Sequence, residues 1–374
     1  RMISQPIYLV MTIVIPLIVV LFFATFLNKG VPSQLPIAVI DFDNSSSSRQ
    51  IVRTISSGQF CKVKYKLSSY EVAQSRMQSG DIYAFVIIPR NFQQDVINGK
   101  QPEVVFCTEY VHYLAGSLIM RELTTTLSTL SAGVNLKLRL AKGEDENQAL
   151  AQVQPIKTDV HIIGNPTLNY SYYLSSIIMP GIIFLMCLIC TIYAIGSELK
   201  QASSKRWLVL AERSMAKALC GKLLPYTIVF SLMEIFTRIV LEKYLGFPVH
   251  GSNILLYLCS ILTIVAYQAD GIFISGCLPV MRTALSIGAF YGVLGFTLAG
   301  FTYPQFAMLP AVRPYTLLYP LTQYYNMYSA VQINALDITE TWLPLVILLL
   351  FNILPLFILP RLKKAAVRLD FSKD

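Results

Sequence analysis

Ile7-Tyr-Leu-Val-Met-Thr-Ile-Val-Ile-Pro-Leu-Ile-Val-Val-Leu-Phe-Phe-Ala-Thr-Phe-Leu27 is a run of about 21 residues with no charge, and about 20 apolar residues are what crossing a bilayer takes. A secretory signal has a shorter apolar core and a small-residue cleavage site. Phe26-Leu27-Asn28-Lys29 supplies none, so the run reads as an uncleaved span. The chain begins at Arg1 rather than Met, and residues are expected upstream of it. Five further apolar runs follow, at about 174–196, 222–245, 254–278, 285–302 and 341–360. Of the 374 residues 14% are charged, against roughly 25% in an average soluble domain. The expected fold is an α-helical polytopic membrane protein of six spans, with residues 28–173 inserted after the first.

The formal net charge of +9 raises the question of nucleic acid, and its distribution answers it. Residues 28–173 carry 14 Lys/Arg against 12 Asp/Glu, whereas 197–222, 279–284, 361–374 and Arg1 together carry 13 against four. Those basic segments lie at span ends, where positive charge marks the cytoplasmic side. The connection 246–253 has no Lys or Arg, so 197–222 and both termini are assigned to the cytoplasm and 28–173 to the far side. No nucleic-acid partner is expected; membrane lipid is.

Five of the seven cysteines, Cys187, Cys190, Cys220, Cys259 and Cys277, fall in or beside apolar runs, where Cys acts as a small hydrophobe. Cys187 and Cys190 have redox or zinc spacing, but no second pair follows, and the three histidines form no ligand motif. No metal is expected. Cys61 and Cys107 lie outside the membrane runs and form a candidate disulfide, provided their Cα atoms come within roughly 7 Å.

Residues 28–173 read as an α/β domain with a long helical arm. Ile37-Ala-Val-Ile-Asp41 is a buried-strand pattern. Val63 and Tyr65 alternate with Lys62, Lys64 and Lys66, as in a strand with one wet face. Ser68-x-x-Glu71 reads as a capping box. Ile82 to Ile88 and Val104-Val105-Phe106 supply two more strands, and apolar residues from Leu114 to Leu138 recur at helical spacing up to Gly143. Between 303 and 340, Pro304, Pro310, Pro314 and Pro320 stand among seven aromatic residues. Prolines break helices and aromatics collect at the membrane interface, so a re-entrant helical hairpin at the outer leaflet is expected there.

With these pieces in place the chain resembles the permease subunits of the second type of ABC exporter, in the branch with a large domain between spans one and two. The resemblance rests on Ile37-Ala-Val-Ile-Asp-Phe-Asp43 with Phe85-Val-Ile-Ile-Pro89, on Asn165-Pro166-x-x-Asn169-Tyr170 leading to Met179-Pro180-Gly181, on Glu198 followed by Arg213-Ser214 and Gly221-Lys222-Leu223-Leu224-Pro225, and on Pro320-Leu321-Thr322-x-Tyr324. Ala202-Ser203-Ser204 stands where the family usually has Gly-Thr. The resemblance implies three parts: 1–27, the first span; 28–173, an extracytoplasmic domain; and 174–374, five spans with a coupling loop (197–221) and the outer hairpin (303–340).

It further implies a bacterial inner-membrane exporter of a hydrophobic or amphipathic small molecule. The expected partners are two copies of a cytoplasmic ABC ATPase that bind ATP and Mg, and a second permease, identical or paralogous. Some relatives also work with a periplasmic adaptor and an outer-membrane channel. This chain itself has no Gly-x-x-x-x-Gly-Lys-Ser/Thr phosphate cradle, so no cofactor is assigned to it and it is not read as an enzyme. Glu198, Lys200, Arg206 and Arg213 are expected on a short cytoplasmic helix that docks into the ATPase. Glu234, Arg238 and Glu242 recur every four residues and share a helical face; with Asp270 they form a candidate polar path through the membrane. Pro304, Pro310, Pro320 and Tyr324 are candidates for an outer gate. The weighed alternatives are an intramembrane enzyme, for which no catalytic motif is found, and a receptor or scaffold signalling through the cytoplasmic loop.

Overall fold

The computed structural model describes residues 6–28, 30–154, 164–165 and 169–368. Arg1, Lys29, Pro166 and the last six residues, named above for charge or motif, lie outside the described residues. Two compact units emerge, one of residues 31–161 and one of 1–30 with 162–374.

Residues 31–161 form a four-stranded sheet in the order β2-β1-β3-β4. β1 is Leu35–Asp41, β2 Cys61–Leu67, β3 Ala84–Ile88 and β4 Val105–Thr108. β1 pairs parallel with β2 and β3, and β4 runs antiparallel to β3. β1 and β3 are apolar throughout because both faces are covered: one side holds Ile37, Val39, Ile51, Ile55 and Leu118 to Leu123, the other Ala38, Ile40, Ala73 and Phe85. The helix Tyr113–Ala141 carries Glu122, whose carboxylate accepts from the backbone N–H of Phe60 (2.5 Å) and Cys61 (3.3 Å). Gly58 makes room for it, since a Cβ there would run into the Glu122 side chain. The helix at 70–78 is capped by Ser69, whose hydroxyl accepts from Val72 N, one residue later than the Ser68 box proposed from sequence.

Cys61 and Cys107 sit on the two outermost strands, three inter-strand spacings or about 14 Å apart, and both are free thiols. A disulfide is out of reach. Burial, reinforced by nearby Glu122, pushes the Cys61 thiol up to about 12.

Among its described residues the other unit contains six helices long and apolar enough to cross a membrane: Pro6–Phe26, Tyr170–Lys200, Met215–Tyr244, Asn253–Cys277, Met281–Leu298 and Ile338–Arg368, here called spans one to six. Their boundaries differ from the apolar runs where a helix outlasts its hydrophobic stretch. Span three starts at Met215 rather than 222, capped by the Ser214 side chain. Span two continues through Glu198 to Lys200. The chain leaves span one and re-enters at span two through one point: Gly30, at φ +70, accepts from Tyr170 N at 2.7 Å. After span five come short 3-10 turns at Gln305–Ala307 and Arg313–Leu318, then the helix Pro320–Tyr328. That helix is buried at Pro320 to Tyr324 and at Met327 and Tyr328.

Candidate functional site

Three buried polar knots organise the six-span unit. The first lies at the end of span two. Glu198 is 4% exposed, and its carboxylate takes the Lys222 ammonium of span three on one oxygen and the Ser203 hydroxyl on the other. The Lys222 ammonium also lies 5.2 Å from the centroid of the Trp207 ring, whose Nε1 donates to Ala218 O at 3.1 Å. Ser204 Oγ donates to Ala366 O of span six at 2.8 Å. Residues 201–214 are thereby a tied elbow rather than a loose loop. Its short helix, Ser204–Leu210, leaves Val209 and Leu210 65% and 79% exposed. Beside it is a cleft of about 420 Å³ lined by Trp207, Leu210, Ala211, Gly221 and Pro225 among others. The elbow reverses through Glu212 and Arg213, both left-handed at φ +52 and +58, a conformation that costs non-glycine residues roughly 1–2 kcal/mol each.

The residues expected on one short cytoplasmic helix are therefore dispersed. Arg206 is on it; Glu198 and Lys200 belong to the last turn of span two, and Arg213 to the reversal. Glu198 points inward because the partly buried Lys222 faces it. Lys222, Ser203 and Trp207 were missed from sequence, since the pairing joins residues 24 positions apart on different helices.

The second knot is on span three, two turns beyond its middle. Glu234 is 1% exposed; its Oε1 accepts from Ser260 (3.3 Å) and Tyr324 (3.4 Å), while Oε2 has no hydrogen-bond partner among the described residues. Arg238, 3% exposed, reaches Glu242 at 3.8 Å rather than Glu234. Its guanidinium lies 5.8 and 6.0 Å from the rings of Tyr257 and Tyr328, with Nε and Nη2 unpartnered. Asn253 Nδ2 donates to Glu242 at 3.1 Å. Arg238 lies two residues before a π-helical turn, 240–244, and Tyr328 directly precedes another, 329–333; such turns inside helices are frequent at functional sites. The face read from sequence as a polar path through the membrane packs against span four and the 320–328 helix of the same chain. The cause is the polar company those elements provide.

Asp270 forms a third knot, apart from that face. Tyr291 OH of span five lies 2.8 Å from Asp270 Oδ2 and 2.6 Å from Leu318 O. One hydroxyl has one proton, so both contacts are hydrogen bonds at once when Asp270, as the carboxylic acid, donates to Tyr291 and Tyr291 donates to Leu318. Nearby, Thr227 Oγ1 donates to Gln268 Oε1 at 2.8 Å. Of the expected outer-gate residues, Tyr324 joins the second knot and Pro320 opens its helix. Pro304 and Pro310 are exposed in the preceding turns. Among the described residues, no group of three or more His, Cys, Asp or Glu is placed to hold a metal ion.

Six helices of membrane-crossing length, with charged residues turned inward where hydrocarbon would penalise them, define a multi-pass membrane protein. The model of the ABC-2 family transporter proteins matches residues 6–359, and the chain belongs to that family. It is similar to the inner membrane transport permease YhhJ of Escherichia coli (strain K12), with 22% identity over 82% of this chain and 79% of the relative. It is also similar to ABC transporter G family member 23 of Dictyostelium discoideum, 20% identical over 80% of this chain; there the match spans 42% of the relative's length. No solved structure matches the chain.

Proposed function

We propose that the chain is the membrane permease subunit of an ATP-driven exporter whose energy comes from a separate ABC ATPase. In this reading two ATPase copies bind ATP and Mg, and a second permease, identical or paralogous, completes the transporter. The cargo is a hydrophobic or amphipathic small molecule, drug- or lipid-like, moved out of the cytoplasm or inner leaflet. The excess of Lys and Arg at 197–222 and 361–374 favours a bacterial inner-membrane protein with both termini in the cytoplasm and residues 28–173 outside, the arrangement of the branch it resembles. A periplasmic adaptor and outer-membrane channel fit that arrangement.

The observation that carries the reading is the elbow. Apolar Val209 and Leu210 are held in the open at the end of a short helix before a strained turn, flanked by basic Lys205, Arg206 and Arg213 and anchored to three spans through Glu198–Lys222 and Ser204–Ala366. A push on such a tip moves the spans instead of bending a loop. Glu234, Arg238 and Tyr324 then tie span three to the outer hairpin. Span three thus runs from the elbow to a gate built around Pro304, Pro310, Pro320 and Tyr324, and Asp270 braces the hairpin's other side. In membrane vesicles bearing this chain and its ATPase, Leu210→Asp and Arg206→Glu should abolish co-purification of the ATPase and transport-linked hydrolysis, while insertion persists. Unchanged co-purification in both variants would overturn the reading.

A further inference from the structure

Where span two begins and span five ends, the chain closes over a cleft of about 610 Å³ lined by Phe301, Pro304, Phe306, Arg313, Tyr325 and Asn326, a volume in the range of small-molecule sites. Its frame is fixed. Gln305 Nε2 donates to Ala299 O (3.1 Å) and Asn326 Oδ1 (3.0 Å), using both amide hydrogens. Gly300, at φ +100, lets the Gln305 side chain lie where a Cβ would stand. Tyr173 OH of span two donates to Phe301 O at 2.9 Å, and Phe301 meets Tyr325 edge-on at 6.3 Å between centroids. The rim is apolar and open, with Phe306 78% and Leu309 72% exposed.

Arg313 is the only Lys or Arg between residues 283 and 360, and no acidic residue lines the cleft. One of its five N–H donors goes to Phe306 O at 2.5 Å, which seats the guanidinium at the mouth, and among the described residues no carboxylate pairs with it. A cation among aromatic walls, at the end of a hydrophobic bundle, matches a molecule with one anionic head and a hydrocarbon tail.

We propose that this cleft binds a membrane phospholipid with an anionic headgroup, its phosphate on Arg313 and an acyl chain along Phe301, Phe306 and Tyr325. This rests on the membrane-embedded reading of the 303–340 segment and is independent of which ATPase drives the protein. The test is native mass spectrometry of the intact purified chain, titrated with phosphatidylglycerol or, separately, phosphatidylcholine. The expected result is a preferred first adduct of phosphatidylglycerol that weakens about tenfold in Arg313→Gln, the scale of one charge-assisted hydrogen bond. Arg313→Lys should restore most of it, and Phe306→Ala should weaken both lipids alike. Equal phosphatidylglycerol binding by the wild type and Arg313→Gln, at matched melting temperatures, overturns the proposal, as does a wild type without preference between the two lipids. A wild type without lipid preference but with ATPase coupling intact would sink the cleft and spare the permease reading; a wild type with the preference but no ATPase coupling would do the opposite.

Discussion

Span three carries two cations turned inward, partly buried Lys222 and buried Arg238, 16 residues and about 24 Å apart along one helix. Their surroundings differ in kind. Lys222 meets a carboxylate that is also held by Ser203, and it lies against Trp207. Arg238 stands between two carboxylates and pairs loosely with one, while Nε, Nη2, Glu234 Oε2 and Glu242 Oε1 find no hydrogen-bond partner among the described residues. A closed buried pair has one low-energy arrangement, because every other one leaves a charge stranded. An open set leaves its cation more than one acceptor within reach, and a π turn, a feature frequent at functional sites, lies beside it. The elbow end of span three is thus a closed ion pair, and the end that meets the 320–328 helix an open polar set.

The sharpest way to break that contrast is at the closed pair. Lys222→Met leaves Glu198 buried without its cation and should cost about 3–5 kcal/mol, read as a fall in melting temperature of the detergent-solubilised protein. The paired replacement Glu198→Leu with Lys222→Met should recover most of the loss. If Lys222→Met melts like the wild type, the elbow is not held by this pair.

A smaller effect is expected at Asp270. Tyr291→Phe strips the relay between Asp270 and Leu318 of its central hydroxyl and should cost about 1–3 kcal/mol. Asp270→Asn keeps a donor of nearly the same shape and should melt within about 1 kcal/mol of the wild type. The reverse order would mean that Asp270 acts as a charge, and the relay as drawn would be wrong.

The sequence showed the elements better than their partners. Apolar runs located all six long helices because hydrocarbon tolerates nothing else over that length, and Ile37–Asp41 and Ile82–Ile88 read as buried strands because both their faces are covered. Helix ends were misjudged where polarity and helicity part company: Lys217 and Lys222 ended the apolar run but not the helix that Ser214 begins. The spacing of Glu234, Arg238 and Glu242 was legible since all three share one helix. Ser260, Tyr324 and Tyr291 were not, because a partner 26, 90 or 21 residues away is placed by packing that no local pattern encodes. Cys61 and Cys107 fell together in the sequence reading for the same reason: strand order, invisible locally, puts them at opposite edges.

The smallest expected stability effect is at Glu234, and its smallness is the point. Glu234 accepts two long hydrogen bonds on one oxygen and none on the other. Gln in its place keeps an acceptor toward Ser260 and Tyr324 and removes a charge whose burial is itself unfavourable. The lost attraction to Arg238 and the relieved desolvation are of opposite sign, and replacements of buried ionic groups often come out near neutral. Glu234→Gln should therefore shift stability by less than about 1 kcal/mol, far below Lys222→Met measured on the same helix. Transport should respond differently. If Arg238 exchanges between Glu242 and Glu234 as the hairpin opens, Gln at 234 removes one of its two stations and transport should fall at least about fivefold, a coupling of roughly 1 kcal/mol. A melting temperature as depressed as that of Lys222→Met would show the second knot to be closed like the first. Unchanged stability with unchanged transport would show it to be open but idle.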